Sequence, residues 1–225
     1  MKTALVIAID GPSGAGKSSS SRQLAERLGY RYIDTGALYR IIGLLAWERH
    51  VSTDDSEGLA VLCRDLPLRF VSDPSGARIL LGERDITTAI RQPEVSQMAS
   101  KVSAQPAVRQ ALLILQRQMG QDGGVVLEGR DIGTVVFPDA DVKFFLDASP
   151  EERGRRRHDE LQQQGVTTTL EATLREMAER DQRDSERAHA PLRRAEDAIV
   201  VDSTTLALEE VVSLLLQHVA AVRKC

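Results

Sequence analysis

Aromatic residues are scarce: one Trp, three Tyr and four Phe make up 4% of the 225 residues. A platform on which single-stranded bases stack needs more rings than that. Positive charge is not in excess either, since 29 Lys and Arg against 33 Asp and Glu leave a formal net charge of −4. No global field therefore draws nucleic acid, and any basic cluster must act locally on a small anion. The two cysteines, Cys63 and Cys225, stand in no C-x-x-C or metal-ligand spacing. That argues against a disulfide framework and for a reducing compartment. His50, His158, His189 and His218 are scattered, with no acidic or cysteine partners at ligand spacing. No apolar run approaches a membrane span, and the apolar stretch after Met1-Lys2 is cut off by Asp10-Gly11-Pro12 before any cleavage pattern. The expectation is a soluble cytoplasmic monomer without membrane or nucleic-acid partners.

What the chain does carry is the stretch Gly11-Pro12-Ser13-Gly14-Ala15-Gly16-Lys17-Ser18, followed by Ser19. It satisfies the phosphate-loop pattern G-x-x-x-x-G-K-[ST] at every fixed position. The context fits as well: residues 4–9 read as a buried strand and residues 18–28 as a helix ending at Gly29. Glycines let successive backbone N–H groups turn inward on a polyphosphate, and the helix dipole favours the same anion. Lys17 would reach the β- and γ-phosphates of ATP, and the Ser18 hydroxyl would hold Mg²⁺. The bland alternative is an ordinary glycine-rich turn.

The rest of the chain alternates strand and helix with short connections, the pattern of an α/β fold with a parallel sheet wound on both faces. Residues 30–33 form a second strand; a helix capped by Asp34-Thr35-Gly36 follows, with Leu38, Ile41, Ile42, Leu45 and Trp47 as its apolar stripe. The alternation breaks at residues 63–105. Here a hairpin turning at Asp73-Pro74-Ser75-Gly76, a third strand near 85–88 and a helix at 93–103 predict a small α+β insertion. A helix at 106–119 precedes the return of the pattern. Residues 1–62 and 106–225 would then be the core domain. Strands at 125–127 and 198–201, both read as buried, and at 142–146 complete a five-stranded sheet, and helices follow at 149 onward, 170–187 and 206–222.

Phosphoryl transfer needs a second anion site in line with the first, with cations around the moving group. Thr35, Tyr39 and Arg40, at the start of the second helix, offer hydroxyls and a guanidinium at the carboxyl edge of the sheet. They read equally as a plain cap and a solvated charge. Glu128-Gly129-Arg130-Asp131 ends a buried strand; either this is an ordinary polar loop, or Glu128 can orient Mg²⁺ through water while Arg130 and Asp131 face an acceptor crevice. Arg180, Arg183, Asp184 and Arg187 share an arc of about 100° on one helix, either as an anion site or as a salt-bridged solvent face. Arg153 and Arg155-Arg156-Arg157 read either as a solvated charge run or, on a segment (151–168) with Gly154 before the run and Gly165 behind it, as a flap that closes on ATP.

The set GPSGAGKSS, DTGALYR, EGRDIGTVVFPDA, FFLDAS followed by arginines, ERDQRDSERAHAPL and VVDST resembles the bacterial cytidylate (CMP/dCMP) kinase family nearly end to end. The resemblance implies the nucleoside monophosphate kinase fold, with 63–105 as an NMP-binding insertion. It implies transfer of the γ-phosphoryl of ATP to CMP or dCMP. Thr35, Arg40, Arg130 and Arg187 would grip the acceptor phosphate; Ser100, Arg109 and Asp131 would read cytosine; Arg180 and Asp184 would hold the sugar; Arg157 matches a flap arginine. Cytosine donates from its amino group, suiting Asp131, and accepts at N3 and O2, suiting Arg109 and Ser100. Glu128 stands where some members have aspartate, and Ser18 keeps the hydroxyl for Mg²⁺. A kinase for UMP, AMP or a small alcohol, and a P-loop switch without an acceptor, are the rival readings.

Overall fold

The computed structural model describes residues 4–73 and 76–224. The opening Met1-Lys2, the Pro74-Ser75 tip of the hairpin turn and the Cys225 thiol lie outside the described residues. In chain order the elements begin with β1 (Val6–Asp10), α1 (Lys17–Leu28), β2 (Arg31–Asp34) and α2 (Thr35–Glu48). Then come α3 (Ser56–Leu62), β3 (Leu68–Asp73), β4 (Gly76–Leu81), β5 (Arg84–Asp85), α4 (Pro93–Val102) and α5 (Pro106–Gly120). The last stretch holds β6 (Val125–Gly129), a π-helical turn at Ile132–Val136, β7 (Val142–Asp147), α6 (Pro150–Gln163), α7 (Leu170–Glu186), β8 (Ile199–Asp202) and α8 (Leu208–Lys224).

The chain divides into two compact units, residues 1–34 with 117–225 and residues 35–116. The first unit holds a five-stranded parallel sheet in the order β2-β6-β1-β7-β8, the α/β architecture expected. β1 lies in the middle and is buried along its whole length, which is why 6–10 is a continuous apolar run ending in one acid. Ile7, Ile9, Leu24, Val126, Phe144, Leu146 and Leu215 form its core, shared among β1, α1, β6, β7 and α8. Register aligns the strand ends: Asp10 pairs with Gly129, and Glu128 pairs with both Ile9 and Asp34. Three acidic side chains thus end up at the carboxyl edge, where ligands of open parallel sheets bind.

The second unit packs α2 on α4 so closely that a Cβ on Gly43 would come within 2.9 Å of Ala99 N. A separate three-stranded antiparallel sheet, β3-β4-β5, completes it. This unit is wider than the 63–105 insertion expected, because the contact at Gly43 draws α2 in with α4. Several expectations need correction. α3 is an addition to the expected elements: seven residues are too few to display a helical stripe, although Asp55 caps it by accepting from Gly58 N at 2.9 Å. β5 spans Arg84–Asp85 only. Trp47 is 44% exposed, since at about 100° per residue it falls opposite Leu38 rather than beside it. β8 is an edge strand: Val201 is buried, but Val200 is 48% exposed, so the strand is not the fully buried one expected. The helix expected from 149 onward spans Pro150–Gln163, capped by Ser149, so most of the 151–168 segment is helical. Gly154 is in that helix because a Cβ there would lie 2.2 Å from Leu174 Cδ2 of α7.

Candidate active site

The loop between β1 and α1 is wedged between backbones. At Gly11 (φ 148°) a Cβ would fall 1.9 Å from Leu146 O of β7, and at Gly14 (φ 77°) it would fall 2.8 Å from Arg153 O. Both sites demand glycine for space as well as for dihedral. The loop carbonyls are held from outside: Ser13 O accepts from Arg153 Nη1 at 3.1 Å, and Ala15 O accepts from Ser203 Oγ at 3.1 Å. Ser203 Oγ in turn accepts from Arg156 Nη1 at 3.0 Å. A trans peptide points its N–H opposite its carbonyl, so these bonds turn the Gly14 and Gly16 N–H groups to the loop's inner side. Lys17 opens α1, is buried, and donates from Nζ to Pro12 O at 2.5 Å. Burial first, then the nearby Arg130 and Arg180 guanidiniums, push its pKa down to about 7 against the opposing pull of Glu128 and Asp10.

Beside Lys17 stands a carboxylate pocket. Glu128, at the end of β6, is buried and accepts from the Tyr32 hydroxyl and from Ser18. Burial raises its proton affinity and its register partner Asp34 raises it further, more than Lys17, Tyr32 and Ser18 lower it. Tyr32, under the Arg22 guanidinium 5.4 Å away, has its own ionisation pushed far up by burial and Glu128, so it remains a hydroxyl donor. Ser18 and Ser19 are exposed at the start of α1.

The predicted guanidiniums in this unit do converge. Arg130 Nε donates to Asp184 Oδ2 at 3.0 Å, and Arg180 Nε lies 4.0 Å from the same oxygen. Arg187, which caps α7 in an extended conformation rather than riding on the helix, places Nη2 3.6 Å from Asp131 Oδ1; both side chains are buried. Burial alone would raise Asp184, but Arg130, Arg180 and Arg187 outweigh it and hold the carboxyl below its ordinary range. The salt-bridged solvent face is thus excluded for this stretch: Asp184 is 4% exposed.

In the second unit, Thr35 and Ser100 are buried, and Ser100 Oγ has no hydrogen-bond partner among the described residues. Arg109 lies over the Tyr39 ring at 5.6 Å and donates from Nη1 to Ser103 O at 3.2 Å. Arg40, half-buried, stands one residue on from Tyr39 in α2. Of the arginine run, Arg153 and Arg156 reach the phosphate loop, whereas Arg157 pairs with Glu160 on its own helix at 2.8 Å. Sequence reasoning missed Asp10, Tyr32 and Ser203, and gave Arg153 and Arg156 no separate task. Only Asp10 carried a signal, as a lone acid closing an apolar strand. Its Oδ1 accepts from Ile132 N at 2.8 Å and its Oδ2 from Gly133 N at 2.7 Å, so it clamps the turn that follows Arg130 and Asp131.

A phosphate-binding loop on the central strand of a parallel sheet, facing a buried lysine and a cluster of guanidiniums, defines a P-loop kinase. Among solved structures, a gluconokinase from Sinorhizobium meliloti shares this fold, with a TM-score of 0.52 at 15% identity over 99% of this chain and 95% of that one. The family model for cytidylate kinase matches residues 7–221. A cytidylate kinase of Syntrophotalea carbinolica is 53% identical over 220 residues, 98% of this chain and 94% of that one. A cytidylate kinase of Geobacter sulfurreducens is 55% identical over 207 residues, 92% of this chain and 89% of its own. The chain belongs to the cytidylate kinase family.

Burial of Asp10 raises its pKa to about 6, and the two backbone N–H bonds, which favour the carboxylate, keep it from rising further. It is therefore ionised at neutral pH, and Asp10→Ala orphans two buried donors at about 1–3 kcal/mol each. We expect the variant to melt lower by about 2–4 °C for each kcal/mol lost, with Asp10→Asn in between. An unchanged melting temperature in Asp10→Ala would show that the clamp is ornamental.

Proposed function

We propose that this chain transfers the γ-phosphoryl group of ATP to CMP or dCMP, giving ADP and CDP or dCDP. The observation that carries the reading is that Lys17 of the phosphate loop lies within electrostatic reach of Arg130 and Arg180 in a buried setting. A donor-side cation and acceptor-side cations that feel one another are what in-line transfer between two phosphates requires. Membership of the family narrows the acceptor to cytidylate.

In this reading the backbone N–H groups of Gly11, Ser13, Gly14, Ala15, Gly16, Ser18 and Ser19 and the Lys17 ammonium hold the ATP phosphates, with Pro12, which has no N–H to give, shaping the loop and accepting from Lys17. An oxygen of the CMP phosphate attacks the γ-phosphorus, and the bond to the β-bridging oxygen breaks, leaving ADP. Arg130 and Arg187 grip the acceptor phosphate, and Arg180 and Asp184 hold the sugar. Asp131, paired with Arg187, accepts from the cytosine amino group. In the second unit Thr35, Tyr39 and Arg40 are assigned to the acceptor phosphate, and Ser100 and Arg109 to the base. The unpartnered Ser100 Oγ supports that assignment. Arg157 is assigned to the phosphates on closure of residues 151–168.

The Ser18 hydroxyl, with Glu128 acting through water, would hold Mg²⁺. The donors are all hard oxygens, and the excess negative charge of the Glu128–Asp34 pair is what a small cation relieves. When bound, Mg²⁺ neutralises charge on the β- and γ-phosphates. The setting we infer is the cytoplasm, with nucleotides as partners of a monomer.

The direct test follows ADP formation from Mg-ATP with CMP, dCMP, UMP, AMP or no acceptor. Fast turnover with CMP and dCMP is expected; fast turnover with AMP alone, or hydrolysis without any acceptor, would overturn the assignment. Arg187→Ala should raise the KM for CMP by an order of magnitude or more (about 1.4 kcal/mol per tenfold) while moving that for ATP little. Equal changes in both would place Arg187 outside the acceptor site.

The depressed Lys17 pKa also has a measurable sign. At pH 8 a group of pKa about 7 is mostly neutral in the free protein, and polyphosphate draws the proton back onto it. We expect ATP binding at pH 8 to take up nearly one proton, read from binding enthalpies in buffers of different ionisation heat. Uptake should fade towards pH 6 and vanish in Lys17→Ala. Uptake that persists in Lys17→Ala would assign the proton elsewhere.

A further inference from the structure

We propose that Arg153 is a positioning residue through which the phosphate loop and the arginine cluster on α7 govern one another, so that a filled loop tightens the acceptor site. The proposal rests on the cytidylate kinase reading and assigns a role to a residue which that reading places against neither nucleotide.

The Arg153 side chain is only 9% exposed and bonds three elements through Nε and Nη1. Nε donates to Ala148 O, just past β7, at 3.0 Å; Nη1 donates to Ser13 O in the loop at 3.1 Å; the same Nη1 pairs with Asp181 on α7 at 2.5 Å. A planar guanidinium in a dry site holds such partners in fixed relative positions, and water cannot stand in for it. Packing repeats the link, since a Cβ on Gly14 would meet Met177 Cε of α7 at 3.0 Å.

Met177 and Asp181 form one stripe of α7, facing the loop. Arg180 and Asp184 form the next, about 60° round the same helix. A rigid helix cannot move the first stripe without carrying the second. Any adjustment of the Ser13 peptide to a bound polyphosphate therefore reaches Arg180 and Asp184, and through Asp184 reaches Arg130. By linkage an occupied acceptor site acts back on the loop to the same degree.

The experiment is calorimetric titration of CMP with and without Mg²⁺ and β,γ-imido-ATP, on wild type, Arg153→Met, Arg153→Lys, Asp181→Asn and the Arg153→Met/Asp181→Asn pair. In wild type the analogue should tighten CMP by about fivefold or more, the range of ordinary coupling between sites. That ratio should fall towards one in Arg153→Met and Asp181→Asn. The pair should lose no more than either alone, because both cut one link. A lysine has one nitrogen to reach three acceptors, so Arg153→Lys should lose most of the ratio while retaining the charge. Melting temperatures identify variants that fail to fold; if Arg153→Met does, Arg153→Lys and Asp181→Asn decide by the same ratio. A ratio of one in wild type, or an undiminished ratio in folded variants that merely melt lower, overturns the proposal. If wild type forms no ADP with CMP, the cytidylate reading fails instead; normal turnover with an undiminished ratio removes the role of Arg153 alone.

Discussion

One buried carboxylate shared among guanidiniums sets the terms for the rest of this site. Asp184 is almost wholly enclosed, yet Arg130 bonds it and Arg180 and Arg187 lower its proton affinity. A buried ion cluster is a poor device for stability, because desolvation offsets most of the attraction. It is a good device for orientation, because each charged group can satisfy itself in only one geometry. Asp184 neutralises part of the positive charge, and Asp131 meets Arg187. The positive field that remains reaches Lys17, where Arg130 and Arg180 add to the burial that already lowers its pKa. An anionic substrate between such groups relieves repulsion already present in the fold.

The scaffold explains why these groups meet. β1 is flanked by β6 and β7 in parallel register, so the loop after β1 and the turn after β6 leave the same edge of the sheet. Asp10 ties the two exits together by holding Ile132 and Gly133, directly after Arg130 and Asp131. α7 supplies the remaining arginines, and its distance from the loop is set by glycine. At Gly14 and at Gly154 a single methyl would collide with Arg153 or Met177 and with Leu174. Small residues at these contacts are as much a part of the chemistry as the charged ones.

Much of this was legible beforehand, for identifiable reasons. The phosphate loop is a local backbone device, so its glycines, Lys17 and Ser18 declare it in eight consecutive residues. The parallel sheet shows in apolar runs such as Val125-Val126-Leu127, because central strands are buried on both faces. Arg130, Arg180, Asp184 and Arg187 were visible as charges at strand and helix ends, though only the fold shows which charges are buried. What stayed hidden depends on contacts distant in sequence. Arg153 and Arg157 look alike in the run at 153–157, yet one spans three elements and the other pairs with Glu160 on its own helix. Ser203 and Tyr32 are unremarkable in sequence and acquire meaning only beside Ala15 and Glu128. Val200 is apolar but exposed, because β8 has no neighbour on its outer side in the sheet order.

The claim on which all of this turns is that the guanidiniums around Asp184 and Asp131 exist to take the phosphate of a nucleotide. Comparing equilibrium binding of CMP and cytidine to the wild-type protein isolates that phosphate from base and sugar. Charge-assisted bonds to buried arginines should make CMP bind on the order of a hundredfold more tightly than cytidine. Equal affinity for the two would contradict the account.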